Sequence, residues 1–207
     1  QHLAEMMVGH AVKLVVDKTE AAPAEVVLSV DGLSVRDDRG FVAVDDLDFE
    51  VRSGEILAIA GVQGNGQTEL VESLCGLRTP LTGVVTLDGA DVTGAPPGDL
   101  FRLGLGHVPE DRQNDGLVGP FPVADNMVLN TFNWEGFASG PVRDRDAVHD
   151  NATRLSEEFD VRTPSVDTPA GTLSGGNQPK VIVAREFTHA QRLLVAAQPT
   201  RGLDVGS

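Results

Sequence analysis

An α/β fold is predicted from three observations. The apolar run "EILAIAG" (55 to 61) leads straight into the glycine-rich stretch "GVQGNGQTEL" (61 to 70), and "QTELVESLCGL" continues it with helical spacing. A second apolar run, "RLLVAA" (192 to 197), reads as another strand, and it precedes "QPTRGLD". Between the two, from residue 123 onward, the apolar period changes from two residues to about 3.6.

The elements follow in order. Residues 1 to 24 end in an Ala/Pro/Glu-rich stretch that reads as a linker. "EVVLSVDGLSV" and "LDFEVRSG" alternate as strands, with turn residues between them. "EILAIAG" is nearly continuous in apolar residues, as expected of a buried parallel strand. In the helix after it, Leu70, Val71, Leu74 and Cys75 share one face, which places the chain's one cysteine in the core. "GVVTLDG" (83 to 89) reads as a strand ending in an Asp-Gly turn, and "PPGDLFRLG" as a short helix opened by proline. "LGHVPEDR" is a strand that ends at Pro109. "VADNMVLNTF", "RDAVHDNATRLSEEFDV" and "SGGNQPKVIVAREF" are helices. The second buries Val148, Ala152, Leu155 and Phe159, and the third takes Ser174 as its N-cap.

Composition narrows the function classes. The chain has 207 residues, 41% hydrophobic and 23% charged, in the range of globular domains. A net charge of −15 with no basic stripe argues against a nucleic-acid partner. A single cysteine excludes an intrachain disulfide. No apolar run approaches the ~20 residues that span a bilayer, and no signal peptide is visible. The chain begins at Gln1 without methionine and stops at "GLDVGS", so a piece of a longer polypeptide is expected.

Gly61, Gly64 and Gly66 follow the spacing G-x-x-x-x-G-K-[ST], with Asn65 between the last two glycines and Thr68 closing the motif. Such a loop binds phosphate because backbone N–H groups converge and a helix N-terminus adds partial positive charge. Gln67 stands where the motif has lysine, and the chain's three lysines (Lys13, Lys18, Lys180) all lie far from it in sequence. "LSGGNQ", Leu173, Ser174, Gly175, Gly176, Asn177 and Gln178, is a second candidate anion site at a helix start. The spacing G-x-G-x-x-G of dinucleotide folds fails, because "GNGQTE" ends in Glu69.

The order of "GVQGNGQTEL", "VPEDR", "EFDVRTPS", "LSGGNQ" and "AAQPTRGLDVG" resembles the ATP-binding cassette ATPases. More closely it resembles the second cassette of the two-cassette ATPases that power bacterial simple-sugar and nucleoside importers. "AEMMVGHAV" is similar to the tail of a first cassette. The resemblance implies a phosphate-loop core, an N-terminal antiparallel β subdomain and an α-helical insert over about 118 to 180. The domain would occupy 25 to 207, C-terminally incomplete, and 1 to 24 would be the preceding cassette's tail plus linker.

The resemblance also assigns residues. The phosphate loop is Gly61, Gly64, Asn65, Gly66, Gln67 and Thr68, with Thr68 a ligand for Mg2+. Glu110 stands at the position of the glutamine that senses the γ-phosphate. Leu203 and Asp204 belong to the loop after the catalytic strand. Ala197 and Gln198 occupy the positions of the magnesium-supporting aspartate and the water-polarising glutamate. The adenine-stacking aromatic has no match: the aligned position is near Asp38, with Phe41 close by.

Lysine to glutamine removes a charge-assisted contact of roughly 1.5–3 kcal/mol. A glutamine in place of a general base lowers the rate by roughly 10²–10⁴. The resemblance therefore implies a domain whose own ATP and Mg2+ site is impaired, and whose intact signature, 173 to 178, serves the ATP held by the first cassette of the same polypeptide. Expected partners are that cassette, transmembrane permease subunits and, indirectly, an extracytoplasmic binding protein, with no nucleic acid. The expected place is the cytoplasmic face of the membrane. The alternative is a structural cassette that binds no nucleotide and only completes the pair. Pro179 breaks the pattern: with Ser174 as cap it falls at the fifth helical position, and otherwise the helix begins later with proline in its first turn.

Overall fold

The computed structural model describes residues 21–189 and 191–199. They fall into two compact units, one built from 21–107 with 191–197, the other from 108–189 with 198–199.

The first unit is organised by a four-stranded antiparallel sheet in the order β2-β1-β3-β4, formed by β1 (Val26–Arg36), β2 (Val42–Arg52), β3 (Thr82–Leu87) and β4 (Ala90–Asp91). β1 is central: Val30 faces Phe49 of β2 on one side and Val85 of β3 on the other. Alternation along β1 sends Val30 and Leu28 inward, and Leu33 and Val35 are wholly buried past the register shift at Asp31–Gly32. Asp88 (φ 50) and Gly89 (φ 77) form the turn into β4, the left-handed pair that an Asp-Gly hairpin requires.

Helix α1 (Gln67–Leu74) lays Leu70, Leu74 and, just past its end, Cys75 into the core under the sheet, so the expected apolar face is observed. α2 (Pro97–Arg102) opens on proline and buries Leu100. β5 (Leu105–Val108) pairs with a later strand, β8 (Leu193–Ala196). β8 is only half-buried rather than the buried strand that its apolar sequence predicts.

One predicted strand is absent. Residues 55–62 carry no regular secondary structure, and Ile56 is 91% exposed, with Ile59 and Val62 exposed too. Among the described residues no strand pairs with this run. Apolar patterning reports that a segment favours burial. A parallel strand exists only where neighbours satisfy its N–H and C=O groups on both sides.

The second unit is helical. It contains a π-turn at Arg112–Gly116, α3 (Val123–Met127), the hairpin β6–β7 (Ala138–Ser139, Val142–Arg143), α4 (Arg145–Glu158), a 3-10 turn at Ala170–Thr172 and α5 (Asn177–Thr188). α3 is half the predicted length: Val128 already leaves helical geometry, and turns replace the rest. α4 is capped by the Asp144 carboxylate, which accepts from Ala147 N at 3.0 Å. Its Val148, Ala152 and Leu155 are buried, while Phe159 is half-buried just past the end. Val123, Val128, Val181 and Ile182 complete this core.

Asn126, wholly buried, is the polar centre of the helical unit. Its Oδ1 accepts from Val118 N (2.8 Å), and its Nδ2 donates to the carbonyls of Val118 (3.1 Å), Phe121 (3.1 Å) and Pro122 (3.0 Å). Beside it, the buried Arg185 pairs with Glu186 (Nε to Oε1, 2.8 Å) and donates to the carbonyls of Gly116 (3.0 Å) and Asn126 (3.3 Å). Glu186 Oε1 also accepts from Asn130 Nδ2 at 3.1 Å.

Candidate functional site

The candidate residues gather in two glycine loops, one in each unit. In the first, Gly64 (φ 88) and Gly66 (φ 91) are left-handed, the conformation that lets a loop turn its N–H groups inward. Gly66 is the N-cap of α1, and a Cβ there would drive into the Ala43 carbonyl. So β2 backs directly onto the loop. Gly61, Gly64, Asn65 and Thr68 are exposed, as a ligand-facing surface requires.

Gln67 does not project outward as a lysine reaching for a phosphate would. Its side chain folds back over Gly61, so closely that a Cβ on that glycine would overlap the amide nitrogen. Its Oε1 is buried and has no hydrogen-bond partner. The loop's backbone and the start of α1 suit an anion. The loop itself, however, adds no cationic side chain.

Thr68 offers a hydroxyl, but Ala197 is a half-buried methyl and Gln198 an exposed amide at φ 48. Magnesium sites usually add a carboxylate. Among the described residues no cluster of three His, Cys, Asp or Glu side chains is placed to hold a metal. Leu203 and Asp204 lie outside the described residues.

The second loop differs in character. Ser174 and Gly175 are exposed, and α5 begins after them with Gly176 as N-cap rather than Ser174. Pro179 is thereby the third residue of the helix. The first four N–H groups of a helix have no intrahelical acceptor, so proline there breaks no bond. This settles the two alternatives left open by the sequence. Instead of capping, Ser174 forms a turn whose carbonyl accepts from Asn177 N (2.9 Å) and Gln178 N (3.2 Å).

Asn177 Nδ2 donates to Ser174 Oγ at 2.9 Å, and Asn177 Oδ1 accepts from Arg162 N at 2.9 Å. Gln178 turns inward: it is 4% exposed, and its Nε2 donates to the carbonyls of Leu173 (3.1 Å) and Gly171 (3.4 Å). It braces the loop from beneath. Leu173 is buried as well. The surface this loop offers is therefore Ser174, Gly175 and the first turn of α5.

Two supports of this loop carry no motif signal. Lys180 Nζ donates to both Asp160 O (2.9 Å) and Asp160 Oδ2 (2.8 Å), and this hydrogen bond to the carboxylate, with a second from Arg162, holds the Asp160 carboxyl below the usual carboxylate range. Arg112, from the π-turn, brings Nη2 to 3.6 Å from where a Cβ on Gly175 would stand. That turn follows half-buried Glu110 and is capped by Asp111, whose Oδ1 accepts from Gln113 N (3.0 Å) and Asn114 N (3.1 Å). The signal that exists for these contacts is weak: an Asp-Arg pair after a strand and a lysine one turn into a helix.

Comparison with known proteins fits this geometry. Residues 44–201 match the family model described as ABC transporter. The chain is 44% identical over 205 residues to the guanosine import ATP-binding protein NupO of Bacillus subtilis, covering 99% of this chain and 40% of the relative. It is 43% identical over 207 residues to the nucleoside import ATP-binding protein NupA of Lactococcus lactis, covering 100% of this chain and 41% of that protein. The glucose import ATP-binding protein TsgD13 of Haloferax volcanii is 46% identical over 207 residues, 99% of this chain and 38% of its own length. The chain thus spans about two fifths of the length of these relatives. Among solved structures, an ATP-binding cassette in a dimeric post-hydrolysis state with ADP and phosphate superposes with a TM-score of 0.71 at 21% identity, over 86% of this chain and 76% of that one. A nucleotide-free cassette gives 0.70 at 21%, over 86% and 71%. These likenesses establish the fold as that of the ATP-binding cassettes, antiparallel β subdomain included. With more than half its length matched by the family model and two glycine loops in the family's order, the chain belongs to the ABC transporter family.

Proposed function

We propose that the chain is a nucleotide-binding cassette of an importer for nucleosides or simple sugars, the second of two on one polypeptide. Its signature loop contributes to the ATP held by the first cassette, and its own phosphate loop is impaired for hydrolysis. The observation that carries this reading is the contrast between the loops. At 61–68 the lysine position holds a neutral amide folded onto Gly61. At 173–178 an exposed serine and glycine precede a helix start braced on several sides.

Several facts support the wider setting. The relatives are named as import ATP-binding proteins, and each is long enough to hold another domain of this size. No described helix is long and apolar enough to cross a membrane, and separate transmembrane permease subunits are part of the proposal. The helical unit, with Phe132, Trp134 and Phe187 exposed, is the surface proposed to dock them on the cytoplasmic face, an extracytoplasmic binding protein delivering substrate.

The test is ATPase activity of the assembled transporter. Ser174→Trp is expected to abolish turnover, and unchanged turnover would overturn the reading. Equilibrium titration with magnesium-ATP addresses the phosphate loop: one nucleotide per pair of cassettes at low concentration is expected. Two equivalent tight sites would remove the impaired loop from the proposal.

A further inference from the structure

The geometry points to Asn177 as a positioning residue that makes the Ser174 hydroxyl a hydrogen-bond donor toward a nucleotide phosphate, with the backbone of Arg162 as its anchor. The inference rests on 173–178 being a phosphate-contacting loop.

A carboxamide has two ends that only its partners distinguish. Here the partners do so. Arg162 offers a backbone N–H, which can only donate, so the atom 2.9 Å from it is the amide oxygen. The amide nitrogen must then face Ser174 Oγ, at 2.9 Å, and it can only donate. The serine oxygen is thereby an acceptor in that bond. Its single proton remains for another acceptor, and Ser174 is exposed. A phosphate oxygen carries no proton at neutral pH and needs a donor. The relay converts a hydroxyl of either polarity into one of fixed polarity.

The anchor is itself held. Residues 160–162 are tied to α5 a second time, by Lys180 on the Asp160 carbonyl and carboxylate. A shift of the segment after α4 would move Arg162 N, rotate the Asn177 amide and free the serine rotor. A cap that only stabilises α5 would need none of this polarity.

The experiment uses the assembled transporter, with ATP hydrolysis measured as kcat and KM for Ser174→Ala, Asn177→Asp, Asn177→Ala, Asn177→Gln and the double variant Ser174→Ala/Asn177→Ala. Ser174→Ala is expected to lower kcat/KM about 10- to 100-fold, the worth of one charge-assisted donor. Asn177→Asp keeps an acceptor for Arg162 N but takes the serine proton for itself, so it should lose at least as much. Asn177→Gln, which retains the amide, should recover most of the activity lost in Asn177→Ala. The double variant should match Ser174→Ala within about twofold, because Asn177 acts through the serine.

If Ser174→Ala leaves kcat/KM unchanged, the phosphate-loop reading of 173–178 fails and the inference falls with it. If Ser174→Ala loses activity while Asn177→Asp keeps it, that reading stands and the inference is wrong. A double variant worse than Ser174→Ala by the full Asn177→Ala factor also overturns it. Should Asn177→Asp fail to assemble, Asn177→Ala and the double variant decide the question alone.

Discussion

Replacing Asn126 with aspartate changes one NH2 to one oxygen, and the surroundings make that change costly. The amide nitrogen lies 3.0 to 3.1 Å from three carbonyl oxygens, with the side chain wholly buried. An ionised carboxylate there would face all three. Each carbonyl keeps a backbone donor, from Phe121 N, Ala170 N and Asn126 N respectively, so the loss of the amide orphans none of them. The penalty is therefore chiefly that of the buried charge. The one cation described beside the site, Arg185, is already paired with Glu186, and burial raises a carboxyl pKa by up to ~3–5 units, each unit being about 1.4 kcal/mol. With a folded pKa near or above neutrality and an unfolded one near 3.9, the unfolded state releases its proton first, and the penalty grows as pH rises between the two. About 4 kcal/mol is expected at pH 7 and about 1 kcal/mol from this source at pH 4.5. Urea unfolding followed by fluorescence of Trp134, the chain's only tryptophan and part of the helical unit, measures both. A deficit against wild type below 1 kcal/mol at pH 7, or an equal deficit at both pH values, would refute the reasoning.

Other perturbations have equally definite outcomes. Gly66→Ala sets a Cβ against the Ala43 carbonyl at φ 91 and should cost about 2–4 kcal/mol, whereas Gly61→Ala meets only the end of the Gln67 side chain and should cost under about 1 kcal/mol; paired thermal melts separate them. Arg185→Met leaves Glu186 buried without its cation and should cost about 3–5 kcal/mol, most of it regained in Arg185→Met/Glu186→Gln, as a double-mutant cycle by denaturant unfolding will show. The Asp160 carboxyl, lowered by Lys180, lends stability that is complete above its unfolded pKa near 3.9 and disappears as pH falls through the lower folded value. Wild type should therefore lose more stability than Asp160→Asn below about pH 4 in an acid unfolding series.

Local physics was legible wherever one stretch of chain decides the outcome. The alternation of β1, the Asp-Gly turn into β4 and the buried face of α4 all follow from period and turn chemistry. Residues 55–62 show the limit, since their apolar pattern describes a need for neighbours that lie elsewhere in sequence. The loops divide in the same way. Glycine spacing located both, but the inward turn of Gln178, the fold of Gln67 onto Gly61 and the Arg162–Asn177 link depend on contacts across up to fifteen positions. Ser174 looked like a cap because serine favours that role. Proline won: with Pro179 two positions past the first helical residue, α5 starts at Asn177 without losing a bond.

The uncovered run at 55–62 also has a colloidal consequence. "EILAIAGV" is eight residues with one charge, no proline and three β-branched side chains, and Ile56, Ile59 and Val62 face water. Such a segment is a ready template for cross-β pairing between molecules. The chain's charge of −15 opposes close approach at low salt, but salt screens that repulsion over about 10 Å at 0.1 M and leaves the apolar edge unguarded. Precipitation on salt addition, relieved by a lysine at Ile56 or Ile59, is the behaviour this stretch dictates.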